Sequence, residues 1–212
     1  DMALALNART FAQAEALGLD VMTICGTCQG VMSAANRRLK TEAGALDRIN
    51  ALLAPEGLAY QGRVQVKHLL WIVVREIGLA RLGALVSLPM RDFRIAPFYG
   101  CYILRPSWDL GFDDPENPQS LERVIKAVGG EPVAYAGRTK CCGFPIILEK
   151  EAIAVAMAGT HMKEAKEQGV RVELLASDGR LLAEVFTDAL GRYDFPALEP
   201  GAYAIDSDPL PD

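Results

Sequence analysis

Apolar residues recur at helical spacing through the run MALALNARTFAQAEAL, Met2 to Leu17, and the pattern stops at Gly18, a residue type that commonly ends helices. The short run Leu19 to Ile24 predicts a strand that delivers Cys25-Gly26-Thr27-Cys28, and Gln29 to Lys40 is helical again. Glu42 to Leu53 predicts a further helix, closed by Pro55-Glu56-Gly57. Val64 to His68 predicts a short strand, and Leu69 to Ile77 a buried helix. The run FRIAPFY, Phe93 to Tyr99, predicts a strand stopping at Gly100-Cys101. Turn formers fill Gly111 to Pro118, and Ser120 stands as an N-cap before a helix over Leu121 to Val128. Pro132 to Tyr135 predicts another strand, leading into Lys140-Cys141-Cys142-Gly143-Phe144-Pro145. Glu149 to Glu167 then predicts an amphipathic helix ended by Gly169.

Strands alternating with helices predict an α/β fold, Rossmann-like, with parallel strands and helices packed on them. The cysteines fall in loops after strand-like runs, where such folds assemble their sites. The first helix has no strand before it to pack on, so a preceding N-terminal part is expected. Beyond Gly169 the period changes to two. Val170 to Leu175 and Leu181 to Thr187 alternate around the turn Ser177-Asp178-Gly179-Arg180. Arg192 to Phe195 and Gly201 to Ile205 complete the pattern of a short antiparallel β-meander. The expected division is therefore a cysteine-bearing region, 1–168, and a β-tail, 169–212.

Composition narrows the chemistry. Among 212 residues, 22 basic against 27 acidic side chains leave a net charge of −5 with no basic block, which disfavours a nucleic-acid partner. The longest uncharged stretch, Val21 to Asn36, has 16 residues and carries Thr, Gln, Ser and Asn; it is too short and too polar to span a bilayer. No basic segment followed by an apolar one opens the chain, so no secretory signal is visible. Five cysteines, an odd number without an export signal, argue against a closed disulfide framework and for metal binding or redox chemistry.

Cys25-x-x-Cys28 by itself has two uses. Two thiols at this spacing can share one soft metal ion or cluster iron, zinc included, although zinc would need two further ligands. At a helix start they can instead form a dithiol–disulfide pair whose thiolate the helix end stabilises. Cys141-Cys142 is more telling, because adjacent side chains diverge too strongly to chelate one ion but can reach different irons of one extended cluster. With Cys101 the arrangement is C-x39-C-C-G. Gly143 suits a close backbone approach after the double cysteine, and Pro145 stiffens the turn. His68, beside an apolar helix, reads as a packed or capping histidine, and His161 as a surface or boundary residue. Arg105 has two readings, a positive charge beside an anionic site or a salt bridge. Asp113 to Glu116 reads as a solvated turn, and Trp71, Tyr99 and Tyr102 as core or site-wall aromatics.

The segments FYGCYILRPS, LGFDDPENPQSLERVI and KCCGFPI, with the upstream CxxC and VKHLLW, resemble the cysteine-rich B component of heterodisulfide reductase. They are closer still to its relatives that serve succinate dehydrogenase and fumarate reductase complexes. That family is built from two modules of the form C-x(31–39)-CCG-x(35–36)-C-x-x-C, each able to hold a non-cubane [4Fe–4S] cluster. By this resemblance Cys25 and Cys28 close a first module, and Cys101, Cys141 and Cys142 open a second. The closing CxxC of the second would begin about 36 positions past Cys142, where Asp178 stands, with Leu181 three further on.

The resemblance implies a cytoplasmic iron–sulfur electron-transfer subunit, peripheral to the inner membrane through its partners. Flavin or ferredoxin-like iron–sulfur subunits would supply electrons, and a disulfide is the substrate class. From Thr187 to Tyr203 the tail resembles a carboxypeptidase-regulatory-like or collagen-adhesin B-type β-sandwich. Two competing readings remain open: a thiol–disulfide oxidoreductase using Cys25 and Cys28, and a non-catalytic fused scaffold with vestigial cysteines.

Overall fold

The computed structural model describes residues 2–170 and three segments beyond them, 173–176, 181–184 and 203–206. In chain order the helices are α1 (Met2–Ala16), α2 (Gly26–Thr41), α3 (Ala45–Leu53), α4 (Leu69–Ile72), α5 (Leu79–Leu85), α6 (Ser107–Leu110), α7 (Ser120–Ala127) and α8 (Glu151–Glu167). The strands are β1 (Val21–Thr23), β2 (Val66–His68), β3 (Arg94–Ile95), β4 (Glu131–Pro132), β5 (Glu173–Ala176), β6 (Leu181–Glu184) and β7 (Tyr203–Asp206). The chain divides into two compact units, one made of Asp1–Gly78 with Cys101–Pro118, the other of Leu79–Gly100 with Gln119–Asp212.

The first unit is built on the stripe that the sequence predicts. Leu4, Ala8, Phe11 and Ala12 of α1 lie at i, i+4, i+7 and i+8, and they bury against Leu39 of α2, Ile49 and Leu53 of α3, and Tyr60. The Phe11 and Tyr60 rings meet at 5.4 Å between centroids. β1 and β2 pair in parallel, with Val21 opposite Val66 and Thr23 opposite His68. The predicted strand from Val64 is shortened for a visible reason. The Val64 carbonyl accepts from the Asn36 amide at 3.0 Å and the Lys40 ammonium at 3.1 Å, so side chains satisfy it and the ladder starts two residues later. The predicted helix over Leu69 to Ile77 begins as α4 and widens into a π-helical turn, Val73–Ile77.

In the second unit β3 and β4 pair in parallel, Arg94 opposite Glu131 and Ile95 opposite Pro132. Both are far shorter than the runs expected over Phe93 to Tyr99 and Pro132 to Tyr135; Val133 N–H still donates to the Ile95 carbonyl at 2.8 Å, and Pro97 has no N–H to carry the ladder further. Mixed α/β content with parallel strands agrees with the expected class. A continuous Rossmann-like sheet does not form among the described residues, whose parallel strands make two separate pairs. Ser120 is the first residue of α7 rather than its cap, a position taken by Gln119. The amphipathic pattern expected of α8 is weaker than its sequence suggests: it buries Ala154, Gly159 and Ala165 and leaves Ile153 and Val155 exposed. Its inner face is chosen for smallness.

The tail strands are antiparallel in the order β6-β5-β7. β7 pairs with β5 on the edge away from β6, so a meander running through the strand expected over Arg192 to Phe195 is not confirmed among the described residues. Alternation along a strand marks it as a strand but says nothing of which edge it joins. The predicted strand Arg192 to Phe195, and most of the β-sandwich-like run from Thr187 to Tyr203, lie outside the described residues.

Candidate functional site

Cys25 occupies the cap position of α2 in extended conformation, φ −111°, and its carbonyl accepts the Gln29 N–H at 2.9 Å. Cys25 and Cys28 are both exposed. What holds this open turn in place is Gln29, which is completely buried. Its Oε1 accepts from the Thr23 hydroxyl at 2.6 Å, while its amide donates to the Ser33 hydroxyl at 2.9 Å and the Val66 carbonyl at 3.1 Å. One side chain thus ties β1, α2 and β2 together beneath the two thiols. The thiols differ from each other. The Cys28 backbone N–H, aided by the Cys28 thiol, stabilises a Cys25 thiolate and pulls its pKa below the ordinary value. Cys28 is pushed up because its proton is engaged with Cys25.

His68, at the end of β2, is the capping histidine that its neighbourhood predicts: its Nδ1 accepts the Leu70 N–H at 3.1 Å at the start of α4. Burial depresses its pKa, opposed by a hydrogen bond with the Ile24 backbone.

Cys101 is half-buried, and its carbonyl accepts the N–H groups of Leu104 at 3.1 Å and Arg105 at 2.9 Å. The segment that follows it lies on the glycine face of α2. A Cβ on Gly30 would stand 2.9 Å from Tyr102 Cδ1, and one on Gly26 3.5 Å from Ile103 Cβ. Arg105 takes its structural reading, donating to the Pro115 carbonyl and the Glu116 carboxylate, each at 2.8 Å. The acidic loop is a hydrogen-bonded turn, with the Asp114 and Glu116 N–H groups donating to the Asp113 and Asp114 carboxylates. Trp71 stacks on Phe112 at 5.1 Å.

In the second unit Cys141 and Cys142 are half-buried and lead into Gly143 at φ +85°. Its N–H donates to Cys141 Sγ at 3.4 Å. A Cβ on Gly143 would come 2.5 Å from Ala154 Cα. The turn therefore needs glycine twice, for its left-handed backbone and for its approach to α8. His161, expected at a surface or boundary, instead reaches the cysteine turn: its Nε2 is 3.0 Å from the Cys141 carbonyl oxygen. Glu122 accepts from Arg138 Nη1 at 2.8 Å and from the Tyr99 hydroxyl at 2.5 Å. Tyr99 is thus a buried hydrogen-bonding residue and not merely an aromatic wall.

The structure places Cys25, Cys28 and Cys101 in the first unit and Cys141 and Cys142 in the second. The donors fit an iron–sulfur group in kind, being free thiols of which none is fully buried. Among the described residues no three His, Cys, Asp or Glu side chains gather as a metal site. Zinc at Cys25 and Cys28 therefore lacks its further ligands there. The sequence gives no role to Gln29, Glu122 or Arg138, and it leaves the contact of His161 with the cysteine turn unread. A signal existed for Glu122, a charged residue three positions before Ile125 on the buried face of α7.

Residues 95–178 match the cysteine-rich domain designated CCG, and the chain thus carries a CCG cysteine-rich domain. The chain is 39% identical over 154 residues to the 8-methylmenaquinol:fumarate reductase membrane anchor subunit of Wolinella succinogenes, covering 73% of this chain and 53% of that protein. It is 30% identical over 140 residues to the B component of the ferredoxin/F(420)H(2)-dependent CoB-CoM heterodisulfide reductase of Methanosarcina acetivorans, covering 66% of this chain and 46% of that protein. The chain spans about half the length of these curated relatives. A crystal structure of a hypothetical protein from Helicobacter pylori superposes with a TM-score of 0.55 at 14% identity, over 78% of this chain and 29% of that one; it shares the fold.

Proposed function

We propose that this chain is an electron-transfer subunit of a heterodisulfide reductase- or fumarate reductase-type complex, with Cys101, Cys141 and Cys142 as ligands of an iron–sulfur cluster. The carrying observation is the glycine-locked turn at Cys141-Cys142-Gly143, which presents two adjacent thiols and gives one of them a backbone hydrogen bond. The CCG domain match over the same residues supports it. A cluster there supplies one-electron chemistry at soft thiolate-bound iron. The chain's own residues do the rest: Gly143 N–H donates to Cys141 Sγ, and the close approach of Gly143 to Ala154 of α8 holds the turn. Cys25 and Cys28 are the remaining thiolate donors of the proposal. The proposal assigns this role to the region 1–168, with 169–212 as an appended β-tail.

The partners we infer are other redox subunits, flavin or ferredoxin-like, with a disulfide as one substrate class. Among the described residues no helix is long and apolar enough to cross a membrane. A cytoplasmic position, peripheral to the inner membrane through partner subunits, is part of the proposal. Anaerobic reconstitution with iron and sulfide, followed by metal analysis and EPR, tests it. Bound iron and sulfide that the triple variant C101S/C141S/C142S loses would support the reading. A wild-type chain that takes up no iron under reducing conditions would overturn it.

The unequal thiols of Cys25 and Cys28 favour a second reading, a dithiol reductant in which Cys25 attacks and Cys28 resolves. Insulin reduction by the iron-free chain, abolished in C25S, would select it. No turnover by the iron-free wild type would remove it.

A further inference from the structure

The second unit contains a buried charged cluster whose consequences reach beyond its own packing. The Glu122 side chain is 8% exposed and that of Arg138 13%. Each carboxylate oxygen has its own partner: Oε1 accepts from Arg138 Nη1 at 2.8 Å, and Oε2 from the Tyr99 hydroxyl at 2.5 Å. The Tyr99 oxygen in turn accepts the Leu121 N–H at 2.7 Å. The backbone closes the ring, because the Arg138 carbonyl accepts the N–H groups of Tyr99 at 2.8 Å and of Gly100 at 3.3 Å. A buried ion pair is a poor source of stability, since well-packed apolar residues often do as well or better. It is a good source of geometry, because both oxygens of one planar group are held by fixed donors.

The two segments it joins are those that lead to the thiols. Gly100 is followed directly in the chain by Cys101, and Arg138 stands three positions before Cys141, in the 3-10 turn Ala136–Thr139. We propose that Glu122 is a positioning residue: by holding Tyr99 and Arg138 on its two oxygens it fixes, within the second unit, the segment ending at Gly100 against the turn that leads to the Cys141–Cys142 pair. This rests on the cluster reading above for its purpose, though its geometry does not. Asp at this position keeps the charge but cannot reach both partners. Gln keeps the reach but turns one oxygen into an amide donor.

The test compares the full chain with E122A, E122D and E122Q in two independent measurements. The first is iron and sulfide content with the EPR spectrum after anaerobic reconstitution. The second is the rate of iodoacetamide labelling at each cysteine of the iron-free, folded chain, read by mass spectrometry. The expected result is a severalfold loss of retained iron and an altered EPR spectrum in E122A and E122D, with partial rescue in E122Q. Labelling of Cys101, Cys141 and Cys142 should change severalfold while Cys25 and Cys28 keep their wild-type rates. A merely stabilising Glu122 would lower the melting temperature and speed all five thiols alike, and that outcome overturns the proposal. So does a folded E122A with wild-type labelling ratios and an unchanged spectrum. Should E122A fail to fold, E122Q and E122D decide by the same criteria. If the wild type binds no iron but the labelling ratios shift, the cluster reading falls and the positioning role stands. The converse result separates them the other way.

Discussion

The two thiol-bearing turns of this chain are built by opposite means. Cys25 and Cys28 sit on an open helix start, exposed, with their turn pinned from below by the buried amide of Gln29. Cys141 and Cys142 sit half-buried on a turn that a left-handed glycine presses against α8. The first turn is held by hydrogen bonds and makes its two sulfurs chemically unequal through the Cys28 N–H. The second is held by the steric closeness of Gly143 to Ala154. A helix start tunes protonation; a glycine lock tunes placement.

Exchanging one atom group tests that contrast most sharply. In G143A the new methyl would stand 2.5 Å from Ala154 Cα, on a backbone at φ +85°. Strain and overpacking together should cost about 3 kcal/mol, read as a lower urea midpoint. G26A places its methyl 3.5 Å from Ile103 Cβ, an ordinary contact, and should change stability by no more than about 0.5 kcal/mol, with helix propensity in its favour. Equal losses in the two variants would dissolve the distinction.

Gln29 comes next. Replacing it with Leu keeps the volume but strands the Thr23 hydroxyl and the Val66 carbonyl, which now have amide partners. The cost should be about 2 kcal/mol. Denaturant unfolding checks the size, and labelling kinetics at Cys25 and Cys28 check the place, since their turn loses its anchor while the Cys141–Cys142 turn keeps its own. A Q29L chain of wild-type stability would show that the first turn does not depend on this amide.

These residues also mark how far the sequence carries. The α1 stripe, the α2 start at the CxxC and the break at Gly143 were legible, because periodicity, helix-end chemistry and glycine each leave a local mark. The capping role of His68 was legible from its place before an apolar helix. Strand lengths were not, since Val64 gives its carbonyl to Asn36 and Lys40 rather than to a strand. The edge on which β7 pairs was equally invisible. The spacing C-x39-CCG nominates the cysteines of the candidate site and the buried face of α7 marks Glu122 as unusual, while the contacts that Gln29, Glu122, Arg138 and His161 make could not be read. Their roles come from partners 16 to 37 positions away, and such distances leave no pattern in a single sequence.

The inequality of the first pair is itself measurable. Because the Cys28 backbone N–H is the leading cause of the lowered Cys25 pKa, iodoacetamide should label Cys25 at lower pH than Cys28. C28S keeps that N–H, so Cys25 should stay easily ionised. C25S removes the group that holds the Cys28 proton, so the Cys28 profile should move down towards an ordinary thiol. Coincident profiles for the two wild-type thiols would leave the helix start without its assigned effect.

The smallest expected effect belongs to His68, and its sign is fixed by burial. The folded-state pKa lies below the ordinary histidine value, so the unfolded chain takes up the proton first as pH falls. Stability should be full above the unfolded pKa, about 6.5, and should decline as pH drops from there towards the lowered folded value. Protonation of Nδ1 also removes the acceptor for the Leu70 N–H, so the cap and the titration report on one event. H68A should cost about 1 kcal/mol at neutral pH through the lost cap and should flatten the stability profile between about pH 6.5 and the lowered value. H68N, whose side-chain oxygen can still accept at the cap, should recover most of the neutral-pH stability without the pH dependence. If H68A and the wild type lose stability in parallel as pH falls, the titrating group lies elsewhere. The first unit would then owe its pH response to a residue other than the one that caps α4.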